Sequence, residues 1–305
     1  MNINTTHNSN NHSHQQAIVI SCFGAVHENE IYLDFKNFVQ KYFPDTTVFI
    51  AFTSKMVIKK LQKEKNLHFK NLPQVLADID MQGYNEIVVL PLYIYPTEEY
   101  NRVQRVVSAF QQISAAKITL AQPLLSDYQS VCTFVKILTA TLTPAYPHAS
   151  FLFISHGFTD SPSNEQGKNI YLQLGSLAQS LTNEKSIRYH CCTLEGLYAF
   201  KNIEIKESLI SQLRVCTNGG ETSEICLVPL LLVSGNHYQD IEEIRDILLE
   251  NLSEKSNQGQ GIKIGIAQSQ SHKFHLLSLP KIRSMFIDSI SAMIKNPASA
   301  ESCCD

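Results

Sequence analysis

Apolar positions along this chain alternate between two rhythms, and the alternation runs through twice. Short runs rich in Ile, Val and Leu at residues 17–24, 47–52, 87–95 and 117–121 have the length and β-branched content of buried strands. Between them, apolar residues recur at helical spacing. Ile31, Phe35, Phe38, Val39 and Tyr42 do so across 29–42, and the spacing also predicts helices over 56–61, 72–82, 100–110 and 127–142. Pro44 follows the first of these helices and Gly83 stops the third.

After Pro144 and Pro147 the pattern restarts. Strands are predicted at 150–157, 189–196, 224–233 and 262–267, and helices at 169–181, 203–214, 239–252 and 281–294. The loop at 218–220 and the polar linker at 254–261 separate elements of this second half. Strands alternating with helices imply parallel sheets covered on both faces. The expected fold is therefore α/β: two similar doubly wound domains with mainly parallel sheets, produced by internal duplication. The expected division is 17–146 for the first domain and 147–296 for the second. Residues 1–16, almost wholly Asn, Thr, Ser, His and Gln, read as a disordered leader, and 297–305 as a flexible tail. His7, His12 and His14 belong to that leader rather than to a metal site.

The duplication also makes specific residues comparable. Aligning Pro91 with Pro229 sets Glu99 opposite His237, since both lie eight positions past the proline. His156 takes the place held by Phe23, and Glu195 ends the strand that matches 48–54. All four ionisable groups therefore fall at carboxyl ends of strands, where ligands bind in open α/β sheets. Two imidazoles make an open site for a first-row divalent ion such as Co(II), Fe(II), Ni(II) or Zn(II), more suited to handing an ion on than to storing it. Carboxylates beside a cleft can be tuned to take up protons.

Composition narrows the classes. A net charge of −3 provides no basic footprint for nucleic acid or for a membrane surface. No apolar run approaches the roughly 20 residues of a membrane helix, and no secretory signal precedes the first strand, so a cytoplasmic protein is expected. The eight cysteines show no CxxC spacing and read as reduced thiols. A G-x-S-x-G elbow and a P-loop are both missing, which argues against a serine triad around Ser155-His156-Gly157 and against nucleotide hydrolysis.

Several segments together resemble the class II chelatases, and among them the anaerobic sirohydrochlorin cobaltochelatases. They are residues 51–61, Gln82-Gly83-Tyr84, Glu98-Glu99-Tyr100, Ser155-His156-Gly157, Leu194-Glu195-Gly196 and the stretch 228–237. The resemblance covers residues 17–294. It implies a chelatase-like fold with a cleft between two α/β domains, and ATP-independent insertion of Co(II) into sirohydrochlorin or a related tetrapyrrole. It assigns His156 and His237, with Glu99, to the metal, and His156, Glu99 and Glu195 to catalysis. No cofactor beyond the substrate metal ion is implied, and homo-oligomerisation is left open. Iron or nickel insertion, or a metal or tetrapyrrole carrier without turnover, are the alternatives. Two departures stand out: Tyr238-Gln239-Asp240-Ile241 replaces an Asp-rich stretch ending in Ser-Trp-Lys, and Cys22-Phe23-Gly24-Ala25 replaces Ser-Phe-Gly-Thr.

Overall fold

The computed structural model describes residues 15–182, 187–218, 224–253, 262–269, 272–291 and 293–294. The leader up to residue 14, the glycines of the 218–220 loop, the linker at 254–261 and the tail at 297–305 lie outside the described residues.

Among the described residues the first half runs β1 (Gln16–Cys22), α1 (Asn29–Tyr42), β2 (Thr47–Phe52), α2 (Lys55–Lys65), α3 (Leu72–Met81), β3 (Glu86–Pro91), α4 (Glu98–Ile113), β4 (Lys117–Leu120) and α5 (Tyr128–Ala145). The second runs β5 (Ala149–Phe158), α6 (Glu165–Leu181), β6 (Tyr189–Gly196), α7 (Ile203–Asn218), β7 (Glu224–Leu230), α8 (His237–Ser253), β8 (Lys263–Ile266) and α9 (Pro280–Ser291). A short hairpin, β9 (Gln268–Ser269) with β10 (His272–Lys273), precedes α9 and has no counterpart in the sequence pattern.

The sheets have orders β2-β1-β3-β4 and β6-β5-β7-β8, and every ladder within them is parallel. Identical order in two consecutive halves is the duplication read from the sequence. β3 is shorter than its apolar run suggests. Pro91, which has no N–H for the ladder, is its last residue, and Leu92 to Tyr95 leave the sheet while staying mostly buried. Helices α4, α6 and α8 each begin earlier than the periodicity indicates, because their first turns are polar and carry no apolar stripe.

Packing does not follow chain order. α5 lies against α6, which covers β5 and β6 of the second sheet, while α9 lies against β3 of the first. On α9, Phe286 meets Phe35 of α1 edge to face at 5.7 Å, and Arg283 pairs with Asp34 of α1 at 2.6 Å. Ile282, Phe286, Ile287 and Ile290 are all buried there, and each contributes roughly 1.5–3 kcal/mol by leaving water. The last helix of each half thus packs on the other half, α5 on the helix α6 and α9 on the strand β3. One continuous core includes the inner faces of both sheets together with α1, α5, α6 and α9. Beneath the strand ends, Tyr95 of the first half packs on Phe158 at 5.3 Å and on Tyr171 at 6.2 Å, joining the halves through buried rings.

Candidate active site

The strand ends decide where the polar groups emerge. In β5 the first seven residues are buried and the eighth, His156, comes out to solvent; in β6 the last two, Glu195 and Gly196, do the same. The two strands stay paired to their tips, with Gly157 opposite Glu195 and Phe158 opposite Gly196. Only glycine allows this. A Cβ on Gly157 (φ +131°) would stand 2.0 Å from the Glu195 carbonyl oxygen, and one on Gly196 (φ +80°) would stand 2.1 Å from that of Phe158. The His-Gly and Glu-Gly pairs therefore bring an imidazole and a carboxylate to the ends of neighbouring strands.

His237 reaches the same place from a helix. It is the first residue of α8, half-buried, and its ring centroid lies 4.5 Å from that of His156 with the rings perpendicular. Its Nδ1 stands 2.9 Å from Oδ2 of Asp240, one helical turn on. A carboxylate only accepts, so Nδ1 carries the proton and Nε2 keeps its lone pair. The sequence reading missed Asp240, although a His-x-x-Asp spacing at the start of a helix is a signal for such a pair.

Glu99 lies in the first turn of α4, the counterpart of α8. Its neighbour Glu98 is held by Arg105 at 2.9 Å and Arg102 at 3.3 Å, and these arginines, Arg105 foremost, keep the Glu98 carboxyl below its usual range. Among the described residues, Glu99 instead accepts a 3.3 Å hydrogen bond from Thr97 Oγ1.

His156 registers all of these neighbours. Although solvent reaches the ring, the surrounding protein strips enough water from it that burial, first, and His237, second, push its pKa below the ordinary imidazole value. Glu195, Glu99 and Asp240 draw it back up. The four residues singled out from the sequence are thus gathered within electrostatic reach of one imidazole. Among the described residues, however, no three His, Cys, Asp or Glu side chains form a ready-made ligand set for a metal ion. Two further histidines are engaged elsewhere: His190 contacts Gln212 at 3.2 Å, and His275 contacts the Leu232 carbonyl at 3.1 Å, in the segment between β7 and His237. A cavity of about 540 Å³ lined by Tyr238, Lys263 and Lys273 runs along the edge strand β8 and does not take in the four residues.

Residues 16–295 match the family described as cobalt chelatase (CbiK). The chain belongs to this family. A curated relative in Salmonella typhimurium, named sirohydrochlorin cobaltochelatase, is 25% identical over 194 residues, which is 64% of this chain and 66% of that protein. The chain thus spans just under two thirds of the relative's length. Two solved structures of SirB from Bacillus subtilis share the fold with a TM-score of 0.60. One, with Fe3+, is 16% identical and covers 90% of this chain and 94% of its own. The other, the subspecies spizizenii enzyme in complex with cobalt and named as a sirohydrochlorin chelatase, is 15% identical and covers 94% and 98%. For a member of the cobalt chelatase family, the two strand-end glycines and the paired imidazoles are the local features that tie sequence to site. Among the described residues no helix is long and apolar enough to cross a membrane.

Proposed function

We propose that this chain inserts Co(II) into sirohydrochlorin without nucleotide hydrolysis, as a cytoplasmic step of anaerobic cobalamin synthesis. The observation that carries the reading is the perpendicular pair His156 and His237, 4.5 Å apart at the ends of β5 and the start of α8. Both imidazoles, neutral, donate lone pairs to the incoming ion and replace part of its hydration shell. Asp240 fixes the tautomer of His237 and raises its basicity as a ligand.

Insertion exchanges one dication for two pyrrole N–H protons, so the site must bind the first and accept the second. Glu99, which among the described residues forms no ion pair with an arginine, is available to the metal and as a base, and Glu195 and His156 supply further acceptors. The open placement of these groups on two strand tips and two helix starts suits a broad, flat macrocycle. Its ring carboxylates are met by backbone N–H groups at helix N-termini, which lets a protein of net charge −3 bind a polyanion. The name of the Salmonella relative supports cobalt and sirohydrochlorin.

The test is anaerobic incubation of the purified protein with sirohydrochlorin and Co(II), Ni(II) or Fe(II) in turn, followed by the absorption change of the macrocycle. Insertion fastest with Co(II) is expected. Faster insertion of another ion would reassign the metal, and no insertion with any ion would overturn the enzyme reading.

A further inference from the structure

We propose that Glu28 and Asn164 are positioning residues, one on each half, that reach across to the other half and set the helix starts carrying His237 and Glu99. This rests on the chelatase reading above. The two occupy the same place in the duplicated fold, each being the residue immediately before the helix that follows the first strand of its half, α1 and α6. That is the position from which a side chain ordinarily caps its own helix. Neither does so.

Asn164 is buried, and its Oδ1 instead accepts from the backbone N–H of Glu98 at 3.0 Å, 66 residues away. Its Nδ2 donates to Thr159 Oγ1 at 2.8 Å, which fixes the amide orientation. Glu98 is the first residue of α4 and Glu99 the second, and Thr97, at the cap position, makes no cap bond of its own. Asn164 supplies the missing acceptor from the other half.

Glu28 does the same in the opposite direction. Its Oε2 accepts from the Gly235 N–H at 3.0 Å and from the Ser234 hydroxyl, 206 residues away in sequence. Ser234 is buried, and the chain turns from Gly235 straight into α8, with Tyr238 N–H bonded to the Gly235 carbonyl at 3.3 Å. Glu28 holds φ +59°, ψ +28°, a left-handed conformation uncommon for a residue with a long side chain. Such a conformation persists where the surroundings over-determine it, and here the carboxylate is tied to the other half.

The chemistry of the two latches differs in the sense the site needs. α8 opens with a histidine, and a carboxylate near its N-terminus complements the helix dipole. α4 opens with two glutamates, where a second negative group would repel them; an amide offers the same acceptor without charge.

The test uses the full chain and Co(II) alone as probe, titrated by its visible absorption, together with insertion kinetics and thermal midpoints. Glu28→Ala should weaken Co(II) binding about tenfold, in the range found for groups that orient metal ligands. Glu28→Gln, which keeps an acceptor oxygen, should restore most of that loss. Asn164→Ala should lower kcat about tenfold with at most about a threefold loss of Co(II) affinity, a partition that fits a group acting chiefly as a positioned base and only secondarily as a ligand. Unchanged Co(II) affinity in Glu28→Ala would overturn the latch, as would an equal loss in Glu28→Gln accompanied by an equal fall in thermal midpoint. Loss of Co(II) affinity in Asn164→Ala with kcat intact would overturn the assignment of sides. If Glu28→Ala does not fold, Ser234→Ala removes one of the two donors and should weaken binding about threefold, with no change again refuting the idea. A parent protein that binds no Co(II) would bring down the chelatase reading and the latch together; a parent that binds it, with both Glu28 variants unaffected, brings down the latch alone.

Discussion

The two halves share a strand order and part company at the strand tips. In the first half β1 ends at Cys22 and β2 at Phe52; Thr53 and Ser54 still donate to the Cys22 and Phe23 carbonyls, and Ser54 then caps α2. The chain turns away, and Phe23, the counterpart of His156, is left 46% exposed with no ionisable partner beside it in β2. In the second half β5 and β6 remain paired past the equivalent point, and the added residues are His156-Gly157 and Glu195-Gly196. Duplication supplied a symmetric frame. Gly24 already stands in the first half where Gly157 stands in the second; what differs is that β5 and β6 stay paired to Gly157 and Gly196 and carry His156 and Glu195 at their tips.

The helix starts diverge in the same spirit. α4 presents Glu99 and α8 presents His237, so the carboxylate comes from one half and the imidazole from the other. On the proposed reading the first half would supply one carboxylate and the second half both imidazoles, so the two contributions can be altered separately.

The sharpest break in this comparison is His237→Ala, which takes the imidazole from the second half. Insertion should fall by at least about a thousandfold, since one of two ligands is gone and K for the ion collapses. Alanine at a helix start costs little, so the urea midpoint should stay close to the parent's. Activity near the parent's level would refute the role given to His237.

Glu99→Gln tests the first half by keeping shape and removing charge. About a hundredfold loss of kcat is expected from removing a base, with a smaller loss of Co(II) affinity from the lost metal contact. A change in affinity alone, with kcat intact, would make Glu99 a ligand only.

Asp240→Asn should weaken Co(II) binding about tenfold, because the amide can donate to Nδ1 and favour the other tautomer. Equal affinity would mean that Asp240 does not orient His237.

The smallest effect expected is on pH. The His156 pKa is lowered in the folded chain, chiefly by burial and then by His237, while the unfolded chain keeps the ordinary value near 6.5. His190 and His275 shift the same way, each chiefly through burial. Below about pH 6.5 the unfolded chain therefore binds more protons than the folded one, and stability should decline as pH falls, flattening once the folded pKa values are passed. Urea midpoints between pH 7.5 and pH 5 measure this decline, and His156→Asn should make it shallower. The same shift favours the neutral form of His156, which is the form the proposed metal binding requires.

Much of the frame is legible locally. A strand announces itself by four to eight apolar β-branched residues and a helix by apolar spacing, so the α/β alternation and the repeat can be read from the chain; of the four residues placed at strand ends, His156 and Glu195 stand there, while Glu99 and His237 lie in the first turns of α4 and α8. Positions 91 and 229 are legible for the same reason, since proline punctuates both copies alike. What local pattern missed are polar first turns, such as those of α6 and α8, and the short hairpin before α9. These carry no periodic apolar signal.

By itself, then, the sequence determined the class of fold and its duplication, and that His156 and Glu195 would stand at the ends of strands, because those depend on residues near one another along the chain. Only the tertiary structure decided that α5 and α9 each pack on the other half, and that Glu28 and Asn164 hold the opposite half. The latches and the exchanged helices join residues as far as 249 positions apart, through contacts such as Arg283 with Asp34. Such contacts are selected by packing and by the need to satisfy buried polar groups, and neither leaves a spacing that the chain can display.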